Sequence, residues 1–225
     1  MLQQSPLLNS IQAMQSCLKQ IVNHPFHQAL ANATLSEQQF AFYLQQDRLY
    51  LRDFTAALSA LEKRTQDQAA VFFRQQKTNT QNLEFALQTQ SAEQEASLLG
   101  EPTLATLAYG LFVLEQCRHA HLASALAALF PCYWIYLEIA QRLDFTILPQ
   151  HPYQNWIDTY RSDRFAALVR QLQEMFEAYL ENAAPATLSQ AMQIFARSCY
   201  LEWQFVEAVW RQQTIADIPS FGIVG

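Results

Sequence analysis

The chain of 225 residues is 51% hydrophobic and 15% charged, with a formal net charge of −6. That balance supplies material for a sizeable core, and with Lys and Arg nowhere clustered it argues against nucleic acid or an anionic membrane surface as partner. Only 4 Gly and 8 Pro, against many Ala, Leu and Gln, exclude a strand-and-turn protein and favour helices.

From the N-terminus, MLQQSPLLNS lacks the basic start and apolar core of a signal peptide. Residues 6–23 carry a helical stripe of Leu7, Leu8, Ile11, Met14, Cys17, Leu18 and Ile21. His24-Pro25-Phe26 breaks it, because a residue before proline avoids helical angles. His24 and His27 stand i, i+3, a spacing open either to a metal or to hydrogen-bonded loop histidines. Ser36 and Gln39 form a capping box that opens a long helix to about Arg64. Asp47 falls in the gap of its apolar stripe, with Tyr50 one turn away. A carboxylate aimed inward is either paired, at the bundle rim, or functional.

Gln66–Gln90 reads as one surface helix with a possible break at Thr78–Thr80, anchored by Val71, Phe72, Phe73, Leu83, Phe85 and Leu87. SAEQEASLLGEP is a loop by its Gly100 and Pro102. A helix from Thr103 to about Cys117 carries Tyr109 among leucines. The apolar run Leu122–Leu137 is interrupted by Ser124 and Pro131, and is shorter than the roughly 20 residues of a membrane span. Two core helices meeting at Pro131 are expected. Pro131 would then be the first residue of the second, placing Cys132 where free N–H groups favour a thiolate, with Tyr136 one turn up. The alternative is a buried, inert thiol.

A short aromatic helix follows within His151–Tyr160, then one capped by Ser162 that runs to about Leu180. Thr187 and Gln190 suggest a capping box for a last long helix to about Gln212, in whose stripe Glu202 fills the missing position and Phe205 lies one turn on. The tail from residue 213 is apolar and is expected to pack on the body or on another subunit. Cys17, Cys117, Cys132 and Cys199 are widely spaced, as expected of reduced thiols in a cytosolic protein. With no repeat, linker or composition shift, residues 1–225 read as one all-α domain.

A di-iron site is excluded because no Glu has a His three residues later. Phosphate-loop, dinucleotide and nucleophile-elbow motifs are absent as well, and no metal or cofactor is expected. What remains is a thiol, two inward carboxylates and phenols at Tyr50, Tyr109, Tyr136 and Tyr160. Together these suit covalent catalysis on a small planar base.

Five motifs in order, H-P-F (24–26), Y-L-x-Q-D-x-x-Y-L (43–51), P-C-Y-W-I-Y-x-E-I (131–139), H-P-Y-x-x-W-I-x-x-Y (151–160) and L-E-W-x-F (201–205), resemble the TenA/thiaminase II family over nearly the whole chain. The resemblance implies a single-domain haem-oxygenase-like helical bundle, usually a homotetramer. It implies hydrolysis of thiamin, or of an aminomethyl-aminopyrimidine, to hydroxymethylpyrimidine. It also implies Cys132 as nucleophile, Glu202 as acid/base and Asp47 as holder of the ring amidine. Tyr50, Tyr109, Tyr136, Tyr160 and Phe205 would shape and stack the pocket. Where the family usually has Gly before T-L, this chain has Asn32-Ala33, and residues 66–100 show little similarity. A non-catalytic pyrimidine binder and a haem or metal protein of the same fold are the competing readings.

Overall fold

The computed structural model describes residues 5–89 and 100–217, without the side chains of 83–89. Among the described residues ten α-helices follow one another: α1 Pro6–Ala13, α2 Gln15–Val22, α3 Pro25–Ala31, α4 Glu37–Arg64, α5 Asp67–Thr89, α6 Leu104–His119, α7 Leu122–Arg142, α8 Gln154–Arg161, α9 Asp163–Glu181 and α10 Pro185–Arg211. A single 3-10 turn, Ile215–Asp217, closes the described chain. No strand occurs among the described residues.

At the centre lies α7. Every side chain from Ala123 to Pro131 is buried, and the helix packs against α6, α9, α2 and, most extensively, α10. Opposite it, α4 lies between α5 and α6. Gly110 permits the close approach of α6 to α4, since a Cβ there would sit 2.8 Å from an Asp53 carboxylate oxygen. Gln46, fully buried on α4, ties the start of α6 in place. Its Oε1 accepts from the Thr103 N–H (2.9 Å) and the Thr106 hydroxyl (2.8 Å), while its Nε2 donates to the Glu101 carbonyl.

Histidine serves twice as an N-cap and a third time closes a turn in the same way. The Nδ1 atoms of His24, His121 and His151 each accept the backbone N–H two residues on, at 3.2 Å, and so open α3, α7 and the turn before α8. Because Nδ1 of His24 is an acceptor, its Nε2 carries the proton and donates to Glu207 on α10 (2.9 Å). His27 spends its Nδ1 on the Ile21 carbonyl (2.7 Å). The His24/His27 pair is therefore hydrogen-bonded scaffolding, and no cluster of three potential metal ligands occurs among the described residues.

Several boundaries differ from those expected. The first helix is two, because the chain turns at Met14 (φ −87°, ψ 2°), which lets both Leu7 and the Leu18/Ile21/Val22 face reach the core. Pro131 does not start a helix. It sits inside an unbroken α7 of 21 residues, the one described helix long and apolar enough to cross a membrane. With 78% of its most apolar stretch buried in the bundle, it is a core helix. The Ser36–Gln39 capping box forms, but the one read at Thr187–Gln190 does not. α10 begins three residues earlier, at Pro185 with Ala184 as its cap, and the missing proline N–H costs nothing at a helix start.

Helix α5 is continuous through Thr78–Thr80, where the Thr78 and Thr80 hydroxyls fold back onto the carbonyls four residues before. It is more than a surface helix, since Phe72, Phe73, Gln76 and Thr80 are buried. The expected anchors Leu83, Phe85 and Leu87 fall where side chains are not described. Residues 91–99 of the expected loop and 218–225 of the tail lie outside the described residues.

Candidate active site

Between α4, α6, α7 and α10 the bundle encloses a cavity of about 640 Å³ that opens outward between α5 and α8–α9. All eight residues singled out from the sequence line it. From α4 come Asp47 and Tyr50, from α6 Tyr109, from α7 Cys132 and Tyr136, from α8 Tyr160, and from α10 Glu202 and Phe205.

The inner end is a carboxyl pocket walled by rings. Glu202 is buried, and its carboxyl is pushed up to about 8. Burial is the main cause, opposed by a hydrogen bond with Tyr109 and reinforced by the charge of Asp47. Tyr109 stacks on Tyr50 with ring centroids 4.7 Å apart. On its other side the Tyr109 hydroxyl lies 3.4 Å from the Ser198 hydroxyl, which donates to the Ala128 carbonyl (2.7 Å) in the turn of α7 that Pro131 disturbs. Tyr136 packs against Tyr160 at 4.8 Å, and Phe205 faces Tyr50 at 6.2 Å.

Two polar atoms at this end are buried without a well-formed hydrogen bond, the Tyr50 hydroxyl and Glu202 Oε2. Each such orphan costs about 1–3 kcal/mol. A pair of them beside one cavity marks a place where a ligand completes the bonding.

Cys132 projects from the middle of α7, half-buried and facing the Tyr50 hydroxyl. The expected helix-start activation is therefore absent. Burial, and next the neighbouring Glu202, push the thiol well above its usual range, although the nearby Tyr50 hydroxyl works in the other direction. At rest it is a thiol.

The outer half of the cavity holds residues that the sequence did not single out. Gln76, Asn79, Thr80 and Asn82 of α5 face Asp158, Thr159, Ser162 and Arg164, with Phe54, Tyr133, Phe165 and Leu168 as apolar lining. An Arg164 guanidinium nitrogen lies 3.5 Å from Asn79 Oδ1, bridging α9 and α5 across the mouth. The Gln76/Asn79/Thr80 spacing was a usable signal. In a Gln-rich helix it cannot be told from an ordinary solvated face.

Comparison with known proteins accords with this geometry. A model of the TENA/THI-4/PQQC family matches residues 11–212. The thiamine biosynthesis multifunctional protein ThiED of Corynebacterium efficiens is 31% identical over 198 residues, which cover 87% of this chain and 27% of that longer protein. The aminopyrimidine aminohydrolase of Bacillus subtilis is 30% identical over 203 residues, covering 86% of this chain and 85% of its own. A TenA homologue protein from P. horikoshii OT3 superposes with a TM-score of 0.82 at 25% identity, covering 93% of this chain and 100% of the other. This all-α chain, with its haem-oxygenase-like bundle, belongs to the TENA/THI-4/PQQC family.

Proposed function

We propose that this family enzyme hydrolyses an aminomethyl-substituted aminopyrimidine, or thiamin, to the hydroxymethylpyrimidine through a covalent bond to Cys132. The observation that carries the reading is the convergence of one thiol, two carboxyls and two orphaned polar atoms on one ring-walled cavity. A relative of similar length bearing the name aminopyrimidine aminohydrolase supports the substrate class.

In this mechanism the flat ring lies between the Tyr50 and Tyr136 walls, and Asp47 holds the exocyclic amine and adjoining ring nitrogen. The Cys132 sulfur adds to an electron-poor ring carbon while its proton passes to a ring nitrogen. That step pushes electrons towards the substituted methylene. Glu202, protonated at neutral pH, delivers a proton to the departing amine, which leaves with the electron pair of the broken C–N bond. Water adds to the exposed methylene, returning a proton to Glu202. The ring nitrogen then gives its proton back as the C–S bond breaks, and the net reaction exchanges amine for hydroxyl. The volume of about 640 Å³ falls within the roughly 300–1,000 Å³ of sites for drug-sized ligands, so the outer half has room for a larger leaving group.

Incubation with aminopyrimidine and with thiamin, followed by product identification, tests the reading. Hydroxymethylpyrimidine is expected from the parent chain. Cys132→Ala and Glu202→Gln are each expected to lower its release at least 100-fold with helicity unchanged, in line with the usual weight of a nucleophile or general acid. Undiminished turnover in either variant removes the mechanism, and saturable binding without product marks a binder instead.

A further inference from the structure

Ser198 stands one turn before Glu202 on the same face of α10, and the Tyr109 hydroxyl of α6 bonds to both side chains. All three residues are buried, Ser198 completely. Ser198 has a single hydrogen. A carbonyl only accepts, so that hydrogen goes to Ala128 at 2.7 Å. The 3.4 Å contact between the hydroxyls of Ser198 and Tyr109 must therefore run the other way, with Tyr109 donating. A phenol also has one hydrogen to give, and once it is spent on Ser198 the Tyr109 oxygen can only accept from Glu202. The bond between Tyr109 and Glu202 then needs the proton of the carboxyl. With Glu202 ionised the demand reverses. A carboxylate only accepts, and it attracts a donor about twice as strongly as a neutral hydroxyl does. The contact to Ser198 is long for a phenol, so the Tyr109 hydrogen turns to the carboxylate at small cost.

We infer that Ser198 is a positioning residue for the acid: it holds the Tyr109 hydrogen while Glu202 carries its proton, and yields that hydrogen to the carboxylate when the proton leaves. The inference rests on the functional reading above, in which Glu202 supplies a proton to the departing group. Acid and carboxylate each meet a correctly oriented phenol, and nothing larger than one O–H rotates between them. Without the Ser198 oxygen, Tyr109 donates to Glu202 in both states, which favours the ionised one. The other titratable groups coupled to Glu202 are Asp47, Tyr43 and Tyr50 of α4, Cys132 and Tyr136 of α7, Tyr160 of α8, Cys17 of α2 and Cys199 of α10. All of them are retained when Ser198 is replaced.

Carbon-13 labelling of the glutamate side-chain carboxyls lets NMR follow the titration of Glu202 in the ligand-free protein, with Glu202→Gln assigning the signal. The parent should titrate at about 8. Ser198→Ala should lower that value by about half a unit to one unit, the weight of one hydrogen bond made only by the neutral form. Ser198→Cys keeps the volume and puts a weak acceptor in place of the oxygen, so it should act in the same direction. In a Tyr109→Phe background, Ser198→Ala should shift nothing further. The basic limb of the kcat profile for release of hydroxymethylpyrimidine should move with the NMR value. An unmoved titration in both Ser198 variants, or a shift that persists undiminished in the Tyr109→Phe background, overturns the inference. A titration that moves while the rate profile stays put upholds the role of Ser198 and removes Glu202 as the acid of the functional reading.

Discussion

Replacing Glu202 by Gln should stabilise the fold while abolishing the chemistry, and the gain can be worked from the site. The carboxyl titrates at about 8 in the folded chain against 4.5 ordinarily. Between those values the native state keeps a proton that the unfolded chain gives up, so stability that is full below pH 4.5 is lost as pH rises through 8. At 1.36 kcal/mol per pKa unit the loss reaches about 3 kcal/mol at pH 7 and about 5 at pH 8. His27 acts in the opposite sense. Burial lowers its imidazole from 6.5 to about 4, so its contribution is present above pH 6.5 and lost as pH falls through 4. The parent chain should thus be nearly level between pH 4.5 and 6.5 and weaken from 6.5 to 8. The Glu202→Gln variant, neutral throughout, should rise to pH 6.5 and then stay level. Urea midpoints at half-unit steps from pH 5 to 8 give both curves, and their difference cancels every other titrating group. Parallel curves would refute the premise that this carboxyl is held protonated by burial.

Two further changes probe the frame and the mouth of the cavity. Ala33 adopts a left-handed backbone (φ 57°) to close α3, where a side chain costs about 1–2 kcal/mol. Ala33→Gly should therefore stabilise by about 1 kcal/mol, read as a rise in Tm of about 2–4 °C, and no rise would mean that the turn relaxes with alanine in place. If the leaving group of thiamin occupies the outer half as proposed, Asn79→Ala and Arg164→Ala should raise KM several-fold for thiamin and leave KM for aminopyrimidine unchanged. Equal effects on the two substrates would place these residues in the frame instead.

Proline shows where the sequence was legible and where it was not. Pro131 and Pro185 present the same local signal, a proline ahead of a helical pattern, and only Pro185 starts a helix. An interior proline costs about 3 kcal/mol. Around Pro131 that cost is met by continuous burial from Ala123 to Tyr136, broken only at half-buried Cys132, while the Ser198 hydroxyl braces the Ala128 carbonyl, next to the Ala127 carbonyl that the missing N–H leaves unpaired. The Ser198 hydroxyl comes from α10, seventy residues away, and the burying faces from α6, α9 and α10, and no local rule sees them. Asp47 and Glu202 were legible because a carboxylate among apolar neighbours contradicts its own period. Tyr43 and Trp156 were legible only as core aromatics, since a phenol in an apolar stripe contradicts nothing. Their polar atoms meet each other and Tyr136 only once α4, α7 and α8 are brought together.

The displaced expectation for Cys132 also changes what the chemistry requires. A thiol at a helix start would rest as a thiolate, ready to react with any electrophile. Mid-helix, in the same low-dielectric pocket that holds Glu202 protonated, it rests neutral instead. One physical cause, removal of water, thus sets both groups in their protonated forms. Under the proposed mechanism the sulfur would gain its charge only when a basic ring nitrogen arrives to take the proton, and Glu202 would already carry the proton that the leaving amine needs. On that proposal, burial that looks inhibitory for the sulfur would be what keeps it unreactive until a nitrogen heterocycle fills the cavity.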